Sequence, residues 1–427
     1  MRRPTVPAAG GPWASFAAVL DTLRSVLRFR AIELDGDRRR LQRAADVGDL
    51  RRLAKRRLPA GVFDYIDGGA EDERSLTENT EAFRRMGFAP RVLRAVGDVQ
   101  PASTLLGRPV PYPLVLAPTG FTRIAHPLGE LAVARAAARA GVPYTLSTMG
   151  TRSIEEVAAV APGGRNWFQV YVWRDRGLVR EMVERAAAAG FEALVITVDT
   201  AVLGRRDRDV RRGFSLPPKI GPETILDGMV HPSWTWRFVR SEPIRFANVV
   251  GEAVGDGSTA VTLADYINTQ FDPGLSWADV DWLRSVWDGP IILKGIQTVA
   301  DAVLAAERGV DAIALSNHGG RQLDGAPAPI DLVAPVVDAV GDGLEVICDG
   351  GVRRGADIVK AVACGARAAM AGRAYLYGLG AAGEQGVDHV LATMERDVRR
   401  TMALLGARDV SELTRDLLAA GGGPTPG

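Results

Sequence analysis

The chain has 427 residues, 47% of them hydrophobic, and a formal net charge of +1. That length suits one large domain or two ordinary ones, with enough apolar residues for a sizeable core. Balanced charge removes any global electrostatic case for nucleic-acid binding, and no apolar run reaches the ~18 residues of a spanning helix. His126, His231, His318 and His389 are scattered without a metal-ligand spacing. Cys348 and Cys364 lie in apolar surroundings and read as buried thiols rather than a disulfide.

Residues 1–46 read as a helical, basic extension. Trp13, Phe16, Leu20, Leu23 and Leu27 recur at helical spacing, with Arg24, Arg28 and Arg30 interleaved and Arg38-Arg39-Arg40 following. Two readings stand: a helix packed on its own domain or a neighbouring subunit, or a helix lying on a membrane surface. A signal peptide is disfavoured because Asp21 interrupts the apolar part. From Asp49 an amphipathic helix runs to about Pro59, and the segment Val62 to Glu73 carries Tyr65, by itself a core tyrosine.

From Leu114 a beat sets in of short apolar run, turn and Ala/Arg-rich helical stretch. The runs are 114–118, 144–147, 167–171, 193–199, 291–295, 312–317, 345–350 and 368–373. Strand–helix alternation means a parallel sheet, and eight units predict a closed (β/α)8 TIM barrel. The rival is an open doubly wound sheet, but no Gly-x-Gly-x-x-Gly turn follows the first strand. A barrel's strands converge at their C-terminal ends on one mouth, and these ends carry polar residues here: Thr119, Ser147, Gln169 and Tyr171, Thr197 and Asp199, Lys294, Ser316, Asp349, Arg373. The sixth run stops at Ser316-Asn317-His318-Gly319-Gly320-Arg321, so a proton-transfer group and a carboxylate-gripping group share one turn. Gly350-Gly351 and Arg353 after the seventh run, with Gly372-Arg373 after the eighth, form a phosphate-type end. Residues 207–273 are too long for an ordinary strand–helix connection, usually ~2–6 residues. They read as a lid over the mouth or, through Trp234, Trp236 and Phe238, as a membrane-touching patch. Ser276 is placed to N-cap the next helix, and residues 414–427 read as a flexible tail after a 47–413 domain.

The string Ser316-Asn-His-Gly-Gly-Arg-Gln-Leu-Asp324 resembles the signature of the FMN-dependent 2-hydroxy-acid oxidases and dehydrogenases, among them glycolate oxidase, lactate oxidase, mandelate dehydrogenase and flavocytochrome b2. The resemblance runs from roughly Asp49 to Leu413 and is closest in type to an L-lactate dehydrogenase. It implies FMN as cofactor, held by Pro118, Thr119, Gly120, Ser147, Gln169, Thr197, Lys294, Ser316, Asp349, Gly350, Gly351, Arg353, Gly372 and Arg373. It also implies His318 as general base, Asp199 holding the other ring nitrogen, Arg206 and Arg321 clamping the substrate carboxylate, and Tyr65 and Tyr171 hydrogen-bonding the substrate. The base removes either the hydroxyl proton or the C2 proton; the residues do not distinguish the two. Two departures stand out. Ala201-Val202 replaces the family's Pro-Arg, putting pocket shape in question, and Gly120 stands where many oxidases have Ala, leaving room beside the flavin.

The expected reaction is oxidation of a small L-2-hydroxy acid, first of all L-lactate, to its 2-oxo acid. No Cys-x-x-Cys-His or haem-sized extension is present, which leaves a quinone, oxygen or another small carrier as acceptor. A quinone is favoured by the basic extension and the tryptophans of the long loop. The alternatives are an oxygen-using oxidase or monooxygenase, an enzyme for a larger peptide-derived substrate, and a non-catalytic flavin-binding protein. The resemblance further implies a homo-oligomer, a tetramer or octamer, in the cytoplasm and peripheral on the inner face of the cell membrane.

Overall fold

Eight parallel strands close a barrel in chain order: β1 (Leu114–Leu116), β2 (Tyr144–Ser147), β3 (Asn166–Tyr171), β4 (Ala193–Thr197), β5 (Ile291–Ile296), β6 (Ala312–Ser316), β7 (Glu345–Asp349) and β8 (Ala368–Ala371). The computed structural model describes residues 33–212, 221–249 and 269–419, together with Leu23 and Ser25. Each strand is an expected apolar run, and each is followed by a helix, with three further helices among the described residues of the excursion after β4. The helix before β5, Trp277–Arg284, begins as expected at Ser276, whose N–H donates to the Asp279 carboxylate at 2.8 Å.

Alternation along the strands sorts the core into two layers, as the two-residue period requires. Val115, Trp167, Val195, Ile292, Ala314 and Met370 fill the barrel interior, while Leu116, Phe168, Leu194, Leu293 and Ile313 pack outward with the helices. Trp167 is fully buried, and alanines at 193, 312, 314 and 368 offset its bulk. A hairpin, Ser103–Leu105 with Arg108–Val110, adds Leu105 and Val110 to the interior, and the Leu106 N–H donates to Glu345 at the start of β7. It stops the end opposite the mouth.

The domain is longer at both ends than the sequence suggests. Helix Gly36–Leu41 is N-capped by Asp35, and Leu41 and Ala44 are buried in the main core, so the body starts by Gly36 rather than at residue 47. His389 donates to the Ala44 carbonyl at 2.8 Å and fixes this entry. The supposed tail is ordered as far as Ala419: Leu417 is buried, and Leu418–Ala419 pairs antiparallel with Gly87–Phe88. Trp13, Phe16, Leu20, Leu27 and the arginines among them lie outside the described residues. Cys348 and Cys364 are buried free thiols.

The excursion after β4 is stitched to the mouth. Arg123 is buried and donates to the carbonyls of Glu242 (2.6 Å), Pro243 (3.3 Å) and Pro127 (3.2 Å). Asn248, fully buried, accepts from the Ile154 N–H at 2.9 Å. Trp234 is not part of an outward patch: its indole N–H donates to the Ile124 carbonyl at 2.7 Å and its ring stacks on Phe238 at 4.6 Å. The exposed apolar side chains of this hairpin are Trp236, Ile225, Leu226, Met229, Val230 and Val239, with Phe238 less exposed at 37%.

Trp167→Ala empties the widest interior position. A loss of about 3–5 kcal/mol is expected, seen as a lower urea midpoint at unchanged slope.

Candidate active site

The turn after β6 is built from backbone that most residues avoid. Beyond β6, Asn317 is locked by reciprocal amide hydrogen bonds with Asn79, at 2.7 and 2.8 Å. The chain then takes three left-handed residues in succession, His318 (φ 56°), Gly319 (64°) and Gly320 (72°). Glycine is required twice over: a Cβ on Gly320 would meet the Leu76 backbone nitrogen at 2.5 Å, and one on Gly319 would meet Arg373 at 2.7 Å. His318 bears the left-handed strain, about 1–2 kcal/mol. The Ser316 hydroxyl, accepting from the His318 N–H at 3.0 Å, offsets part of it.

His318 Nδ1 stands 2.9 Å from Asp199 Oδ1. Donation to a carboxylate places the proton on Nδ1 and leaves Nε2 able to accept one. Burial pushes the Asp199 carboxyl up, but His318 and Lys294 outweigh it and hold the group below the usual carboxylate range. The partner is therefore an anion at neutral pH.

Across the cavity two guanidiniums flank one ring. Arg321 and Arg206 lie 5.1 and 5.7 Å from the centre of the Tyr65 ring. Arg321 donates to the carbonyls of Tyr65 (2.7 Å) and Gly68 (3.0 Å), and no carboxylate pairs with it among the described residues. Burial and then Arg206 lower its pKa to about 9. Such a pair is destabilised until an anion arrives, and a carboxylate matches its planar fork. Burial pushes the Tyr171 phenol up, so it stays a donor. Phe271 packs edge-on against it at 5.3 Å.

Ala201 and Val202 do not line this wall, whereas Thr200 and Leu203 on either side do. Val202 is exposed, and Gln322 clamps the loop by donating to the carbonyls of Asp199 (2.9 Å) and Val202 (2.8 Å) while accepting from the Gly204 N–H (2.9 Å). Gln322, Asn79 and Asp67 are positioning residues that sequence reading passed over. Asp67 sits at the end of helix Ala60–Asp67, bound by Arg51 (2.5 and 2.6 Å), the Tyr377 hydroxyl (2.7 Å) and Arg208 (3.0 Å). Burial would raise its pKa; these hydrogen bonds outweigh it and hold it at about 2.

The same cavity continues to the ends of β7 and β8. Gly350 and Gly351 have φ of 128° and 81°, and a Cβ on Gly351 would lie 1.9 Å from the Asn79 carbonyl oxygen. Arg373 is held by the carbonyls of Ile66 (3.1 Å), Gly319 (2.8 Å) and Gly68 (2.7 Å), Arg353 by that of Val352 (2.9 Å). Neither has an acidic partner among the described residues. Lys294 is buried midway along the cavity, 2.9 Å from Asp349 and 3.0 Å from the Ser316 hydroxyl. Pro118, Thr119, Gly120, Ser147, Thr197, Gly372 and the residues just described line one continuous wall with Tyr65, Tyr171, Arg206, His318 and Arg321. Gln169 and Ser316 stand one layer behind. Gln169 is used by Ser147, Thr148 and Thr197, and Ser316 by Lys294, Asp349 and the His318 backbone. A cavity with a buried ammonium and two acid-free guanidiniums beside a glycine cradle has the chemistry to hold a flavin mononucleotide.

The sequence profile of the FMN-dependent dehydrogenases matches residues 54–420. The chain belongs to that family. A Mycobacterium tuberculosis protein named provisionally as an L-lactate dehydrogenase is 47% identical over 392 residues, 92% of this chain and 93% of its own length. The L-lactate dehydrogenase of Caulobacter vibrioides is 42% identical over 372 residues, covering 87% and 96%. Among solved structures, the monotopic membrane protein (S)-mandelate dehydrogenase superposes with a TM-score of 0.85 at 40% identity, covering 89% of this chain and all of that one. The protein is thus an FMN-dependent 2-hydroxy-acid dehydrogenase by family. FMN supplies a two-electron acceptor when bound.

Gly351→Ala forces a methyl group into the Asn79 carbonyl, so the purified variant should be colourless, with a flavin-to-protein absorbance ratio near zero. Asp67 has a pKa of about 2 in the folded chain against an ordinary ~3.9. Its contribution to stability is complete above ~4 and lost as pH falls toward 2. Asp67→Asn should abolish that part of the acid dependence in thermal melts taken between those limits.

Proposed function

We propose that the enzyme oxidises a small L-2-hydroxy acid, principally L-lactate to pyruvate, and passes the electrons to a quinone or similar carrier. The observation that carries this reading is one cavity holding the carboxylate-backed His318 opposite the acid-free guanidinium of Arg321. Arg321 and Arg206 take the substrate carboxylate, and Tyr65 adds a hydrogen bond. Tyr171 donates to the substrate oxygen. His318 Nε2 accepts a proton from the oriented substrate, and Asp199 stabilises the imidazolium that results. Lys294, Arg353 and Arg373 would hold FMN, which supplies the two-electron acceptor.

Relatives named as L-lactate dehydrogenases support the substrate. A dehydrogenase rather than an oxidase is favoured by the relatives named as dehydrogenases; Gly120 leaves no spare room toward Met149, since a Cβ there would sit 2.8 Å from that of Met149. The same acid oxidised with oxygen as acceptor is the alternative chemistry. A second substrate reading rests on the apolar wall. Phe121 and Phe246 meet at 5.6 Å and line the cavity with Ile124 and Leu203, which suits a 2-hydroxy acid with a bulkier side chain. The exposed apolar hairpin 222–239 favours a peripheral membrane contact that would give access to quinone. No helix among the described residues is long and apolar enough to cross a membrane.

Anaerobic mixing of the purified yellow protein with a panel of 2-hydroxy acids tests the substrate. Lactate should bleach the flavin fastest; faster bleaching by aryl or long-chain acids transfers the assignment to the second reading. Reoxidation by a soluble quinone should outpace reoxidation by air. His318→Gln should retain flavin yet lose turnover by roughly 10²–10⁴-fold, and near-normal turnover would remove His318 as the base. Arg321→Lys, which keeps charge but loses the fork, should lower kcat and raise KM together.

A further inference from the structure

A second concentration of positive charge lies away from the mouth, between helices Gly36–Leu41 and Val47–Arg57. They frame an open basin of about 530 Å³ walled by Arg39, Arg40, Arg43, Arg52, Arg56 and Arg57. The only acid on the wall is Asp49, already engaged by Arg52. Arg40 bonds Asp37, and Arg57 finds no carboxylate nearer than the same Asp37, at 3.9 Å. Arg39, Arg43 and Arg56 have no acidic partner among the described residues.

A run of arginines is ordinarily a solvated face. Two facts set this one apart. The Arg57 side chain is only 17% exposed, and the Nε atoms of Arg40 and Arg57 are buried with no hydrogen-bond partner. Burial, then the neighbouring Arg40, lower the Arg57 pKa, the signature of a cation lacking its anion. Cations gathered and partly desolvated without counter-charge are costly unless a ligand supplies it.

The neighbour of the basin narrows the ligand. Arg237, on helix Pro232–Val239, reaches the same Asp37 at 3.9 Å, so the excursion's hairpin abuts the basin. That hairpin leaves Ile225, Leu226, Met229, Val230, Trp236 and Val239 between 57% and 73% exposed. Scattered exposed apolar residues mean little, but six on one hairpin beside a basic hollow roomy enough for a headgroup call for a ligand with both an anion and a hydrocarbon part.

We infer that the six-arginine basin binds the phosphate of an anionic phospholipid headgroup, with the apolar hairpin entering the adjoining acyl region. This deepens the peripheral membrane contact proposed above by naming its lipid chemistry. It does not depend on which hydroxy acid is oxidised.

The test is co-sedimentation of the flavin-loaded, full-length protein with vesicles of phosphatidylcholine alone or mixed with phosphatidylglycerol. The expected result is a preference for phosphatidylglycerol that Arg43→Gln/Arg56→Gln removes. At about 1 kcal/mol per arginine near an anionic surface, that loss is roughly thirtyfold. Flavin content and turnover of 2-hydroxy acid in solution should stay unchanged, which shows the variant folded. Arg84→Gln/Arg400→Gln, exposed arginines elsewhere, should lose far less. Equal binding to both vesicle types overturns the inference, as does a basin variant that binds like the parent or a control pair that loses as much. Inorganic phosphate that raises the melting midpoint of the parent but not of the basin variant, without any phosphatidylglycerol preference, also overturns it and makes the ligand a soluble phosphate. Trp236→Ala reports separately on the hairpin. If it leaves binding intact while the arginine dependence persists, the hairpin contact fails and the basin as an anion site stands without its acyl neighbour.

Discussion

Two guanidiniums in the active cavity depend on the last carbonyls of one short helix. Helix Ala60–Asp67 ends with peptide oxygens that have no intrahelical donor, as every helix does. Those of Tyr65 and Gly68 accept from Arg321, and those of Ile66 and Gly68 accept from Arg373. A carbonyl orients a guanidinium without neutralising it, whereas a carboxylate would have cancelled the charge the site needs. Asp67 is kept off both by Arg51, Tyr377 and Arg208, and Asp64, in the same turn, is paired with Arg208 and Arg212. Arg321 and Arg373, the proposed substrate clamp and phosphate contact, therefore share an anchor, and their spacing is a property of one rigid element.

The remaining polar groups are arranged by the same economy. Lys294, Ser316 and Asp349 form one hydrogen-bonded chain at the mouth, and Ser147, Gln169 and Thr197 another. Each satisfies buried polar atoms that would otherwise cost stability and leaves a face toward the cavity. Strain is retained at two non-glycine residues of the cavity wall, Phe121 (φ 59°) and His318, where the left-handed backbone aims the ring that Asp199 holds.

Much of this was legible in the sequence because it is local. Parallel strands buried on both sides read as short apolar runs, and all eight did. His318, Gly319, Gly320 and Arg321 announced a turn at a strand end. What escaped was long-range. Asn79 pairs with Asn317, Gln322 clamps residues 199–204, and Asp67 meets Tyr377, and no local pattern marks such partners. Trp234 carried the composition of an outward patch, but its N–H satisfies a carbonyl inside. The domain ends were misplaced because short helices and two-residue strands at 36–41 and 418–419 carry too little periodicity to register.

The anchor also fixes when the enzyme can become one. Carbonyls from positions 65–68 wait for guanidiniums at 321 and 373, and the seam between first and last barrel strands joins Leu114 to Ala369. A nascent chain leaving the ribosome can form early strand–helix pairs, yet the pocket stays unfinished until nearly all of the polypeptide has emerged. Pairings so distant along the chain are slow to form. The pocket is thus completed late, and truncation anywhere before the eighth strand yields a chain with neither pocket nor closed barrel.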